Sequence, residues 1–206
     1  MPPKDHGTAR QKILDAALHL IRAQGFSATS VDELCAAAGV TKGAFFHHFH
    51  SKEDLGVAAA AYFSAFADKI FAEAPYRARK SPLDRLLGYV DFRKAILQGE
   101  LPNFTCLVGT MVQEAYDSHP AIREACNRSI SDHAAMVEQD IALAIEERGL
   151  KPEWSSQSLA LHTQAVLQGA FVLAKAKHGA DVAASSLDHL RRYIELLFGV
   201  KQSQAT

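Results

Sequence analysis

Residues 30–55 read SVDELCAAAGVTKGAFFHHFHSKEDL, and the punctuation of this stretch sets how the rest of the chain is read. Ser30 and Glu33 stand three apart as a capping box: the serine satisfies an amide of a new helical turn and the glutamate reaches back to the serine amide. Gly39 closes that helix after two turns, Thr41 caps a third short helix, and Ser51-Lys-Glu-Asp54 opens a fourth. The connection Gly39-Val40-Thr41 is too short for antiparallel packing and suits a roughly perpendicular pair, a helix-turn-helix over about residues 30–49. Phe45 and Phe49, four apart, turn into a small core with Leu34 and Val40, which leaves Thr41, Lys42, Gly43, Ala44, Phe46 and His47 facing outward. Short residues at the helix start let its backbone enter a DNA major groove, where amides favour phosphate. Lys42 and Lys52 add local positive charge, and Ser30 completes the expected DNA-contacting set.

On the N-terminal side, Thr8 caps a helix carrying Ile13, Leu14, Ala17, Leu18 and Ile21 at three-to-four spacing, and Gly25 suits its left-handed end. On the other side, the fourth helix runs to about Ala74, before Pro75. Ser81-Pro82 opens a helix to about Leu97, residues 99–103 break the pattern, and a further helix spans Phe104 to Asp117. A long helix follows Ser118-His119-Pro120 and ends at Gly149; two more run from about Ser155 to His178 and from about Val182 to Phe198. No alternating β-branched run argues for a sheet, so the expected fold is all-α with about nine helices. We expect a helix-turn-helix domain over residues 8–68 and a larger helical domain over 69–200.

The chain has 206 residues, 48% of them hydrophobic, enough for a real core. Its net charge of −1 gives no global preference for nucleic acid, so any DNA binding must come from local geometry. Cys35, Cys106 and Cys126 are odd in number and not at metal-finger spacing, which argues for reduced thiols and against structural zinc. His47, His48 and His50 lack an acidic or cysteine companion, so no metal is expected. The opening MPPKDHGTAR is polar, and no later segment approaches the roughly 18 uninterrupted apolar residues of a bilayer span. We expect a cytoplasmic protein with no membrane partner.

The run from Ser30 through Leu55 resembles the DNA-binding signature of the TetR family of bacterial transcriptional regulators, in which a glycine-valine-serine/threonine turn precedes a tyrosine-containing recognition helix. The resemblance covers about residues 8–68, including Gly25-Phe26; the remainder is similar in architecture only. It implies a nine-helix fold, dimerisation through the last two helices, and loss of affinity for operator DNA when a small molecule occupies the C-terminal domain. Two positions depart from the pattern. Phe46 replaces the usual tyrosine and so lacks a hydroxyl for phosphate, and Cys35 stands where a smaller residue, commonly alanine, is usual.

An effector site is expected among Phe92, Phe104, Cys106, Met111, His162, Phe171 and Lys175, which combine aromatic and flexible apolar surface with a few polar groups. Cys106 near a helix start is either an electrophile- or oxidant-reactive thiol or inert packing. Lys175 either binds an anionic effector or carries its ammonium out to solvent. A homodimer interface is expected on the last two helices through Ala165, Gly169, Ala170, Leu187, Leu190, Ile194 and Leu197. No nucleophile elbow, phosphate-binding glycine loop, zinc motif or Glu-x-x-His pair occurs, so neither catalysis nor a cofactor is expected. The reading is a ligand-responsive repressor that binds a palindromic operator as a homodimer. The alternative is a helical adaptor, or an enzyme on the same fold, without specific DNA binding.

Overall fold

The structure, a computed structural model, describes residues 7–200. Part of the polar opening discussed above, residues 1–6, lies outside the described residues. Ten α-helices and one 3-10 turn follow in order: α1 Ala9–Gln24, α2 Val31–Ala38, α3 Lys42–His48, α4 Lys52–Ala72, the 3-10 turn Pro75–Ala78, α5 Pro82–Ala95, α6 Leu101–Phe104, α7 Leu107–Ala115, α8 Pro120–Glu147, α9 Ser156–Lys177 and α10 Asp181–Leu197. No strand occurs among the described residues. The all-α expectation holds. The extra element is α6, a single turn inside the stretch read as a break, and α7 begins only after Cys106.

Local signals account for most boundaries. Thr8 caps α1 by accepting from the Gln11 amide, and Ser155 caps α9 by accepting from that of Ser158. Gly25 does take a positive φ of 95°, but with ψ 163° it is extended rather than helical, turning the chain out of α1. Ser81 precedes proline as expected yet makes no capping bond; its hydroxyl donates instead to Glu147 at 3.3 Å.

The chain divides into two compact units, and the division departs from the one expected at residue 68. The first comprises the chain up to Ala67 together with Thr105–Ser129; the second comprises Asp68–Phe104 and the chain from Ile130 onward. In the first, Ile13, Leu14, Ala17, Leu18 and Ile21 of α1 are buried, as are Leu34, Phe45 and Phe49. The unexpected members are α7 and the start of α8. Met111 of α7 is fully buried, the Glu114 carboxylate accepts the Ser27 amide at 2.7 Å, and the Phe26 ring meets His119 edge-on at 5.6 Å. A Cβ on Gly56 of α4 would lie 2.8 Å from Ile122 Cδ1 of α8 and 3.0 Å from Phe26, so a larger residue there would force these side chains to shift.

In the second unit, α10 packs on α9 and α5 with Ala183, Leu187, Leu190 and Ile194 buried. Lys94 pairs with Asp188 at 2.6 Å, and Arg191 with Asp91 at 2.8 Å, tying α5 to α10. Asp140 of α8 is buried and receives Arg85 at 2.7 Å and Arg77 at 3.2 Å, the company a buried carboxylate requires.

Candidate nucleic-acid interface and ligand cluster

The capping box forms as read: Ser30 Oγ accepts the Glu33 amide at 3.2 Å and Glu33 accepts the Ser30 amide at 2.8 Å. The Ser30 bonds hold the Glu33 carboxyl below its ordinary pKa. Gly39 closes α2 in the left-handed conformation at φ 64°, and Thr41 accepts the Ala44 amide at 3.1 Å to start α3. One side of α3 is anchored, since Phe45 and Phe49 are buried and their rings meet at 5.6 Å. The opposite side presents Thr41, Lys42, Gly43, Phe46 and His47 to solvent, with Ala44 half-buried. Phe46 is 49% exposed, a large apolar ring held edge-on to Phe45 at 5.2 Å. The space beside Gly43 is open apart from the Thr41 hydroxyl, so the backbone itself is approachable there.

The two lysines of the expected contact set behave differently. Lys42 remains at the surface, where it pairs with Asp32 of α2 at 2.8 Å; that partner raises its pKa. Lys52 is turned inward. Its ammonium donates to the carbonyls of Phe26, Ser27 and Thr29 at 2.9, 3.2 and 2.9 Å and lies 4.6 Å from the centre of the Phe26 ring. All three donors of an ammonium are thereby used. Burial lowers its pKa, while Glu114 and Glu33 work the other way. The expected phosphate contact at Lys52 is therefore corrected to a brace under the α1–α2 turn. Its signal was nonlocal, because the carbonyls it gathers lie 23 to 26 residues earlier.

The expected effector residues are divided between the two units. Cys106 and Met111 belong to the first unit, and the other five to the second. Met111 is core packing of that first unit. Cys106 is the N-cap of α7, half-exposed, with its Sγ accepting the Gly109 amide at 3.4 Å. Arg22 of α1, its own pKa lowered by burial, lies within electrostatic reach of that thiol, a cationic neighbour that sequence reading missed. Cys126 and Cys35 are both buried; burial pushes the Cys126 thiol up to about 12 and raises that of Cys35.

In the second unit, Phe104 meets Phe171 at 6.5 Å, and Phe92 packs on Phe71 and Tyr76 at 5.7 and 5.9 Å. Lys175 is half-exposed. His162 is instead an exposed residue of α9 whose ring meets Tyr193 of α10 at 5.2 Å, so it belongs to an outer face. Around Tyr89 the aromatic cluster contains residues not singled out from sequence: Phe71, His133 and Arg93. Gln164 donates to the Tyr89 hydroxyl at 3.3 Å, and that hydroxyl lies 2.9 Å from His133 Nε2. A hydroxyl can accept twice, so the Tyr89–His133 bond runs in either direction according to the imidazole tautomer. Burial, with the Arg93 charge adding to it, pushes the His133 pKa down to about 3.

The expected dimer residues also separate. Ala165 and Gly169 are exposed and Leu197 is half-buried, whereas Ala170, Leu187, Leu190 and Ile194 are buried within the unit. The last four fill the packing of α9, α10 and α5 and are unavailable to a second chain. The large apolar side chains exposed on α9 and α10 are Leu161, Val172, Leu173, Tyr193 and Leu196. The expected set thus mixes the inner and outer faces of the two helices, because both faces are apolar.

Residues 13–59 match the family described as bacterial regulatory proteins, tetR family, and residues 82–190 match the tetracyclin repressor-like, C-terminal domain. The transcriptional regulator AcuR of Cereibacter sphaeroides is 30% identical over 110 residues, which are 53% of this chain and 50% of that protein. The chain spans half or less of the length of the first curated relatives it matches. Regulatory protein TetR from Rhodobacter sphaeroides superposes with a TM-score of 0.80 at 24% identity, over 91% of this chain and 99% of the other. A TetR transcriptional regulator from Chloroflexus aurantiacus gives 0.79 at 26% identity, over 90% and 93%.

Proposed function

The chain belongs to the TetR family of bacterial regulatory proteins, and we propose that it is a ligand-responsive repressor that binds a palindromic operator as a homodimer in the cytoplasm. The observation that carries the reading is the two-sided α3: buried Phe45 and Phe49 orient it, while Thr41, Lys42, Gly43, Phe46 and His47 stand exposed on a short, closely capped helix. This is the arrangement a recognition helix needs to enter a major groove. Without the phenolic hydroxyl of the family pattern, Phe46 lies against the sugar-phosphate backbone by packing alone.

Two such helices, one per protomer, read half-sites at a fixed spacing, so any change in that spacing costs both registers at once. The face carrying Leu161, Ala165, Gly169, Tyr193 and Leu196 supports dimerisation, being apolar and open, with small residues for close helix approach. Effector binding favours the dimer state with the wrong half-site spacing, which releases DNA. The effector is a small molecule or an electrophile, and Cys106 is the thiol that an electrophile meets. Helix α4 is long and apolar enough by length and composition to span a bilayer. A single helix of this kind is weak evidence for a span, and its Leu55, Ala59, Ala60 and Phe71 are buried against protein.

Selection of bound sequences from random DNA, followed by a salt titration on the enriched site, tests the reading. A two-fold symmetric site, bound specifically and with salt-sensitive affinity, is expected. Failure to enrich any sequence would favour a helical adaptor that kept the fold.

A further inference from the structure

Among the described residues, Arg93 of α5 has no carboxylate in an ion pair with it. Its guanidinium carbon lies 4.9 Å from the centre of the Phe71 ring, 5.7 Å from Tyr89 and 5.9 Å from Phe171. Its Nε is buried and makes no hydrogen bond. The neighbouring acids are engaged elsewhere: Asp91 with Arg191, Asp140 with Arg77 and Arg85, and Asp188 with Lys94. Arg93 as a whole is half-buried; a guanidinium keeps its charge at any physiological pH, and burying its Nε–H without an acceptor is unfavourable. Three aromatic faces offset part of that penalty but leave the in-plane N–H unsatisfied.

A second orphan donor belongs to the same cluster. The Tyr76 hydroxyl is buried without a partner among the described residues, and its ring packs on Tyr89 and Phe92 at 6.0 and 5.9 Å. His133 gives the cluster no compensating charge, because an imidazole is either neutral or positive. Here are unused donors, one of them positively charged, among flat apolar rings. A carboxylate has acceptors only, and a planar unsaturated body beside it suits the rings.

We propose that Arg93 anchors a binding site for a small organic monocarboxylate with a flat or short apolar body, and that the effector belongs to this chemical class. The site lies wholly within the second unit, formed by α4, α5, α8 and α9 around Arg93. The effector role rests on the repressor reading above; the binding site does not.

The test uses the full-length protein and three probes, benzoate, trans-cinnamate and hexanoate, each against its neutral amide, in calorimetric titration. At least one acid is expected to bind about tenfold or more tightly than its amide, the range for a hydrogen bond to a charged group. Arg93→Met should remove that preference and Arg93→Lys should keep part of it; Tyr76→Phe should weaken the acid several-fold. Acid and amide binding equally well, none of the three acids binding, or an Arg93→Met protein that retains the preference would each overturn the proposal. The acid–amide comparison on the unsubstituted protein stands even if a variant does not fold. Release of operator DNA by the same acids is read separately: preferential binding without release leaves the anion site standing and counts against the regulatory reading.

Discussion

Lys42 Nζ lies 2.8 Å from Asp32 Oδ1, joining the first residue of α3 to the first turn of α2 on the exposed side of the helix-turn-helix. Both side chains are largely exposed, so the pair adds little stability and its lysine is free to exchange partners. Lys42→Ala should weaken DNA binding evenly across sequences and reduce the slope of log affinity against log salt by about one. An unchanged slope with lost base preference would instead assign Lys42 to base reading.

Lys52→Met should leave that slope unchanged and destabilise the protein. It removes three hydrogen bonds from one ammonium and strands carbonyls of the turn between α1 and α2. The expected loss is about 2 to 3 kcal/mol in denaturant unfolding. Loss of DNA affinity through the salt-dependent term alone, with stability intact, would restore the phosphate role.

Leu196→Glu tests the dimer face without touching the core, because Leu196 is 67% exposed on α10. Sedimentation at low concentration should show a shift from dimer to monomer with the unfolding of the protomer still cooperative. Ala170→Glu should behave differently: at 2% exposure, Ala170 leaves no room for a carboxylate, and the fold itself should suffer. A dimer undisturbed by charges at both Leu196 and Tyr193 would place the interface elsewhere.

Stability should fall on acidification in a window assigned to His133. Its folded pKa, about 3, lies below the ordinary 6.5, so as pH drops through 6.5 the unfolded chain takes up a proton that the folded chain refuses. Stability is therefore fully present above about 6.5 and declines toward pH 3, with a limiting slope of about 1.4 kcal/mol per pH unit from this residue. His133→Gln should flatten the profile between pH 6 and pH 5, before most carboxylates titrate. An identical slope in the two proteins would mean that His133 is not held neutral.

Treatment with a mild electrophile or oxidant should release operator DNA if Cys106 is the responsive thiol, and Cys106→Ser should abolish that response while leaving basal binding intact. The half-exposed sulfur at the α7 N-cap and the Arg22 charge nearby favour this outcome, while Cys35 and Cys126 are buried. A response retained by the serine variant would assign Cys106 to packing.

The amino-acid sequence by itself determined the helix-turn-helix. Capping boxes, αL glycines and i,i+4 aromatic pairs act over three to five residues, so Ser30, Gly39, Thr41, Phe45 and Phe49 carry their own structural instructions. The same locality made the helices and the all-α class legible. Only the tertiary structure decided what the remaining side chains face. Lys52 turned inward because three carbonyls from a turn 23 to 26 residues earlier converge on it, and α7 joined the N-terminal unit through contacts such as Ser27 with Glu114, 87 residues apart. Arg93 among its rings depends on α4, α5 and α9 meeting. On α9 and α10 two apolar faces compete, and periodicity assigns neither to the inside; packing against α5 buried Leu190 and left Leu196 in solvent. Local hydrogen bonding is written in short spacings, whereas burial is a property of which surfaces meet, and no single helix carries that information.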